Sequence, residues 1–140
     1  MGYRSKVVIS LKRKDFDVLS KRFEEELKDK FEEEQKQYDR IGLKEKVPNL
    51  MKNFDTFVVK KADKEENDII VFGWDWIKWH EKAFDVKFIL KFLHELDENT
   101  PYKLVCVGED NYTEEEENYD CEDDSCDIIS AYCDIAIEDN

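Results

Sequence analysis

The stretch FDTFVVKKADKEENDIIVFGWDWIKW, residues 54–79, decides the fold. It reads as two strands, 54–61 and 69–79, joined by the polar turn ADKEEND. Both are rich in β-branched and aromatic residues, and no helical pattern lies between them. The segments on either side are helical. Upstream, Phe16, Leu19, Phe23, Leu27 and Phe31 recur at three- and four-residue steps, which places them on one face of a helix over about 16–38. Its other faces are Lys and Glu with many i,i+4 pairings, and Asp15 is read as its N-cap. Downstream, Asp85 is read as the cap of a second helix with an apolar stripe of Val86, Ile89, Leu90, Leu93 and Leu96, flanked by Phe88 and Phe92.

Three more strands complete the pattern. SKVVISL (5–11) is short and β-branched. YKLVCV (102–107) starts after Pro101, which ends the second helix. In DIISAYCDIAIED, Ile129, Ala131, Cys133, Ile135 and Ile137 alternate with smaller or polar residues, the pattern of a strand with one buried face. The connection IGLKEKVPNLMKN has no clear assignment. The order is therefore β-α-β-β-α-β-β. This predicts one α+β domain over 1–140: a mostly antiparallel sheet of about five strands, two helices on one face, on a ferredoxin-like, split βαβ plan. With four Gly and two Pro, long regular elements are expected.

Charge is distributed unevenly. The net is −14. Residues 1–60 carry 15 basic and 12 acidic side chains, and residues 61–140 carry 7 and 24. Lys103 is the last basic residue. The following segment GEDNYTEEEENYDCEDDSCD (108–127) is read as an acidic loop, and the acidity continues through Asp134, Glu138 and Asp139. Such a surface repels nucleic acid and anionic membrane and attracts cations or basic proteins. The basic cluster Lys12, Arg13, Lys14, Lys21 and Arg22 is expected to pair internally with this acidic end. No apolar segment reads as a secretory signal or a membrane span, and Lys6 stands where a myristoylation motif wants Ser or Thr. A cytoplasmic, reduced protein with free Cys106, Cys121, Cys126 and Cys133 is expected.

Chemical motifs are sparse. His80 and His94 have no nucleophile pattern, phosphate loop or zinc-protease motif beside them. The cysteine spacing is too loose for paired zinc ligands. A calcium loop beginning at Asp120 fails at Ser125, where glycine is required, and at Ala131, where a bidentate glutamate is required. Neither a cofactor nor catalysis is expected. The three tryptophans lie in WDWIKW. Strand alternation puts Trp74 and Trp76 on one face and Trp79 on the other, as core packing or as an interface anchor.

The segments DIIVFGWDWIKWHEKAFDVKFILKFLHELDE and YKLVCVGED, with GYRSKVVISLKRKDFDVL at the N-terminus, resemble a family of small acidic proteins of phages and mobile elements in low-GC Gram-positive bacteria. That family has no agreed activity, so no residue role carries over. The resemblance implies a context in which small acidic proteins inhibit host defence or housekeeping enzymes, some by imitating DNA.

The leading expectation is a noncatalytic inhibitor of a host nucleic-acid-handling or defence protein with a basic groove. It would bind that protein rather than nucleic acid or membrane. Its contacts would be Glu109, Asp110, Glu114, Glu115, Glu116, Glu117, Asp120, Glu122, Asp123, Asp124, Asp127 and Asp134, with Trp74 and Trp76 as a second anchor. The alternatives are a structural or regulatory phage protein that forms a homodimer through the aromatic strand, and a metal-binding enzyme using the acidic and cysteine cluster.

Overall fold

The computed structural model describes residues 4–118, 129–131 and 135–137. Strand β1 (Ser5–Lys12) passes directly into helix α1 (Arg13–Arg40). The hairpin of β2 (Asp55–Lys60) and β3 (Ile69–Ile77) follows, with a single 3₁₀ turn, Glu65–Asn67, in its connection. Helix α2 (Phe84–His94), β4 (Tyr102–Gly108) and β5 (Thr113–Glu117) come next. Two three-residue strands, β6 (Ile129–Ala131) and β7 (Ile135–Ile137), pair antiparallel with each other in a separate ladder.

The main sheet has the order β2-β3-β1-β4-β5, and every neighbouring pair is antiparallel. The α+β class, the five strands and the two helices are as the sequence predicts, and the split βαβ plan fits in outline. Two details differ. The fifth strand of the sheet is β5, drawn from inside the segment read as an acidic loop. The C-terminal alternation does not add a long strand to the sheet, because β6 and β7 fold against each other instead.

The core follows from the helix stripes. Leu19, Phe23 and Leu27 of α1 are buried, as are Val86, Ile89, Phe92 and Leu93 of α2. Leu19, Phe23, Leu27, Ile89, Phe92 and Leu93 form one apolar cluster with Val7, Ile9, Leu11, Phe72, Trp74 and Leu104 of the sheet. Burying each large side chain contributes about 1.5–3 kcal/mol. The helices meet through edge-to-face rings, Phe23 on Phe88 at 5.7 Å and Phe31 on Phe84 at 5.0 Å. A second, smaller cluster of Val8, Ile69, Val71, Val105 and Val107 is packed by Phe57, Val58 and Ile137.

Both helices begin earlier than their acidic residues suggest. Lys12 and Ala83 occupy the N-cap positions, and Asp15 and Asp85 sit in the first turns, where their charge favours the helix dipole. Helix α1 ends on Gly42 at φ 82°, with Gly42 N–H donating to the Asp39 carbonyl and Leu43 N–H to the Tyr38 carbonyl. This double bond pattern satisfies the last carbonyls and needs a left-handed residue. The connection left unassigned by sequence is then pinned back. The Gln35 amide donates to the Glu45 carbonyl and accepts from Val47 N–H, and Trp74 Nε1 donates to the Leu50 carbonyl at 2.9 Å.

Asp68 ties the β2–β3 connection to the start of α1. Its carboxylate accepts from Ala62 N–H at 2.9 Å and from Lys61 Nζ at 3.4 Å, with Arg13 Nε at 3.6 Å. Its carbonyl accepts from Arg13 N–H at 2.7 Å. The Ala62 bond, then Lys61 and Arg13, hold its proton affinity below the usual carboxylate range. A lowered pKa contributes stability that is present above the unfolded-state value, about 3.9, and is lost as pH falls through the folded value. Asp68→Asn should therefore lower the urea midpoint at pH 7. The gap between variant and wild type should begin to narrow below about pH 4 and close as pH falls through the folded value. A gap that stays constant over pH 3–7 would show that the carboxylate's charge contributes nothing.

Candidate protein-binding surface at the β5 edge

The acidic run is built into the sheet edge at both ends. At its start, Asn111 adopts φ 63°, which Asn tolerates, and its N–H donates to the Gly108 carbonyl. The Asp110 carboxylate accepts from Tyr112 N–H at 3.0 Å. Glu109 exchanges two bonds with Arg4: its N–H donates to the Arg4 carbonyl at 3.0 Å, and its carboxylate accepts from Arg4 N–H at 3.2 Å. At its end, the Asn118 amide donates to the Thr100 carbonyl at 2.6 Å and the Asp97 carbonyl at 3.2 Å.

Between these clamps the register fixes where each glutamate lies. Glu114 pairs with Cys106 and Glu116 with Leu104, on the helix side of the sheet. Glu115 pairs with Val105 and Glu117 with Lys103, on the opposite side. Same-face neighbours on a strand are about 6.7 Å apart along the chain. Glu116 contacts His94 Nε2 at 2.5 Å, and Glu117 lies 4.0 Å from the Nζ of the buried Lys103. Glu114 and Glu115 are exposed and have no ion pair among the described residues.

Among the described residues, two members of the basic cluster near α1 pair elsewhere. Arg13 pairs with Asp68 and Glu65, and Arg22 pairs with Glu26 at 2.7 Å while lying over the Phe88 and Phe92 rings. Neither arginine pairs with residues 109–117, and the rest of the acidic segment, to which the expected internal pairing also applied, lies outside the described residues.

The tryptophans divide differently from strict alternation. β3 carries one extra residue opposite β1, since Ser5 pairs with Ile77 while Val7 pairs with Trp74. The bulge turns Trp76 into the left-handed region, φ 62°, and leaves it 51% exposed. Trp74 is buried at 2% exposure, and Trp79 stacks on it at 5.6 Å. Trp74 is therefore a core residue and not a surface anchor, and Trp79 joins it on the same side.

Around Gly108 the turn borders two depressions. One, of about 260 Å³, is lined by Asp75, Trp76, Glu109 and Asn111. The other, of about 300 Å³, is lined by Ser5, Trp79, His80, Cys106, Tyr112 and Glu114. Burial pushes the Cys106 thiol upward, a bond from Ser5 opposes it, and the Glu114 carboxylate adds a smaller rise, so the neutral thiol is favoured. Among the described residues no group of three or more His, Cys, Asp or Glu is placed to hold a metal, and no helix is long and apolar enough to cross a membrane.

No family model matches this chain, and neither a curated protein nor a solved structure is detectably similar.

The structure thus brings together Glu109, Asp110, Glu114, Glu115, Glu116, Glu117 and Trp76 at one end and edge of the sheet. Asp120, Glu122, Asp123, Asp124, Asp127 and Asp134, with Cys121, Cys126 and Cys133, lie outside the described residues. Sequence reasoning missed the supporting contacts of Arg4, His94, Lys103 and Asn118. Only Asn118, an amide closing a run of glutamates, carried any local signal.

Proposed function

We propose that this is a noncatalytic binding protein whose acidic edge seats in the basic groove of a nucleic-acid-handling protein, in the place of phosphates. The observation that carries this is the ordered β5 edge, with the Glu114 and Glu115 carboxylates directed to solvent from a strand fixed at both ends. A loop in water would lose entropy on binding, whereas a preformed array does not. Among the described residues, Glu114 and Glu115 present one free carboxylate on each face of the edge, while their same-face neighbours Glu116 and Glu117 are held by His94 and Lys103. Two exposed rings, Trp76 and Tyr112, flank the turn and supply the aromatic contacts that anchor protein interfaces. A neutral, buried Cys106 offers no activated nucleophile in the adjoining cleft, which favours binding over covalent catalysis. Ile69 to Gly73 of β3 already bond β1 and β2 and leave no open edge there for a second copy.

Carboxylates on an exposed edge act mainly on the association rate, and salt screens them. The double reversal Glu114→Lys with Glu115→Lys should leave the fold intact and slow association with the partner by about tenfold or more at low salt. Capture from a host lysate at low and high salt identifies that partner, and a DNA duplex added as competitor should release it. Recovery of no nucleic-acid-binding protein at low salt overturns the proposal, as does a partner held equally well by the reversed variant.

A further inference from the structure

The cleft on the helix side of the β4–β5 turn has features of a side-chain pocket rather than of a general acidic surface. Its floor is polar but uncharged: Ser5 and Cys106 are both buried and hydrogen-bonded to each other. One wall is Trp79, held in place by stacking on the buried Trp74, and the other is the exposed ring of Tyr112. Glu114 and Glu81 line it as carboxylates. Glu114 lies close enough to the thiol to raise its proton affinity, so its charge is felt at the floor. The remaining charged or titratable lining groups are Lys82 and His80. His80 Nδ1 accepts the Lys82 N–H at 3.2 Å, so in this tautomer Nε2 carries the proton.

A volume of about 300 Å³ stands at the bottom of the range for small-molecule sites and suits one long side chain. Aromatic walls with a carboxylate beside them favour a cation. A guanidinium suits this lining better than an ammonium, because its plane stacks on aromatic rings while its edge donates two bonds to a carboxylate. We propose that this cleft receives one arginine side chain of the protein partner, between Trp79 and Tyr112 and against Glu114. This rests on the reading of the β5 edge as a surface for a basic partner, and it adds a specific pocket to that surface.

N-acetyl-arginine amide is the probe, and N-acetyl-citrulline amide, the same shape without the charge, is its control. Binding is followed by the Trp79 indole N–H resonance. Saturable shifts are expected with the arginine probe at concentrations of about a millimolar or above, and none with citrulline. Glu114→Gln should weaken binding about fivefold, whereas Glu115→Gln, on the opposite face, should change it less than about twofold. Absence of a saturable shift overturns the pocket, as does equal binding of citrulline. Equal weakening by the two substitutions also overturns it, yet leaves the acidic edge as a diffuse cation-binding surface. Arginine binding that follows this pattern, with partner capture weakened by Glu114→Lys but not by Glu115→Lys, would retain the pocket and overturn the edge.

Discussion

Gly73→Ala should destabilise the protein by about 3 kcal/mol, enough to remove much of the stability of a domain this size. Gly73 lies in β3, opposite Val8 of the central strand β1 and Asp55 of β2. A Cβ there would stand 1.9 Å from the Val7 carbonyl oxygen, 2.9 Å from its carbon and 3.0 Å from Val8 Cα. All three are backbone atoms, so no side-chain rotation relieves the clash. The strands must part at the point where Val7 feeds the helix-side core and Val8 the opposite cluster. Urea unfolding measures the loss, and a midpoint within error of wild type would show that β1 and β3 are less closely apposed. Gly42→Ala is the control. Nothing lies within 4 Å of its Cβ, so its cost is only that of a left-handed alanine, about 1 kcal/mol.

That contrast bears on what could be read in the sequence. Gly73 interrupts an otherwise apolar strand, a pattern that marks a bulge or close backbone approach, but nothing local says on which side or in what register. The helices were legible because Leu19, Phe23 and Leu27 repeat at helical steps over a long run. The hairpin was legible because ADKEEND stands between two β-branched runs. β5 was not legible. Four consecutive glutamates have poor strand propensity, and this segment is a strand because β4 offers it a partner edge and Asn118 and the Arg4–Glu109 exchange hold its ends. The C-terminal alternation was correct as local strand pattern. It could not say that Ile129 would pair with Ile137 instead of a neighbour in the main sheet. In the candidate site, the charge was plain in composition, but the sorting of Glu114 and Glu116 from Glu115 and Glu117 follows from tertiary register alone.

Trp74→Ala should cost about 3–5 kcal/mol, while Trp76→Gly, two residues away, should leave stability unchanged or raise it by up to about 1 kcal/mol. The Trp74 ring is enclosed by Phe72 at 5.9 Å and Trp79 at 5.6 Å, and its indole N–H holds the Leu50 carbonyl of the long connection. Truncation leaves a cavity and an unpaired carbonyl together. Trp74→Phe keeps most of the ring and loses the donor, and should cost about 1–2 kcal/mol more than an isosteric core exchange. Trp76 carries the opposite balance. A bulky residue at φ 62° is strained, half its surface is in water, and glycine at that position relieves the backbone at a modest entropic cost. A strained, exposed indole beside Asp75 and Glu109 contributes little to the fold that glycine would not also supply. If Trp76 serves the interface, Trp76→Gly should weaken partner capture at least as much as the Glu114/Glu115 reversal while the urea midpoint stays level or rises. A Trp76→Gly protein that is less stable by more than about 1 kcal/mol would assign the indole a structural role and remove it from the proposed surface.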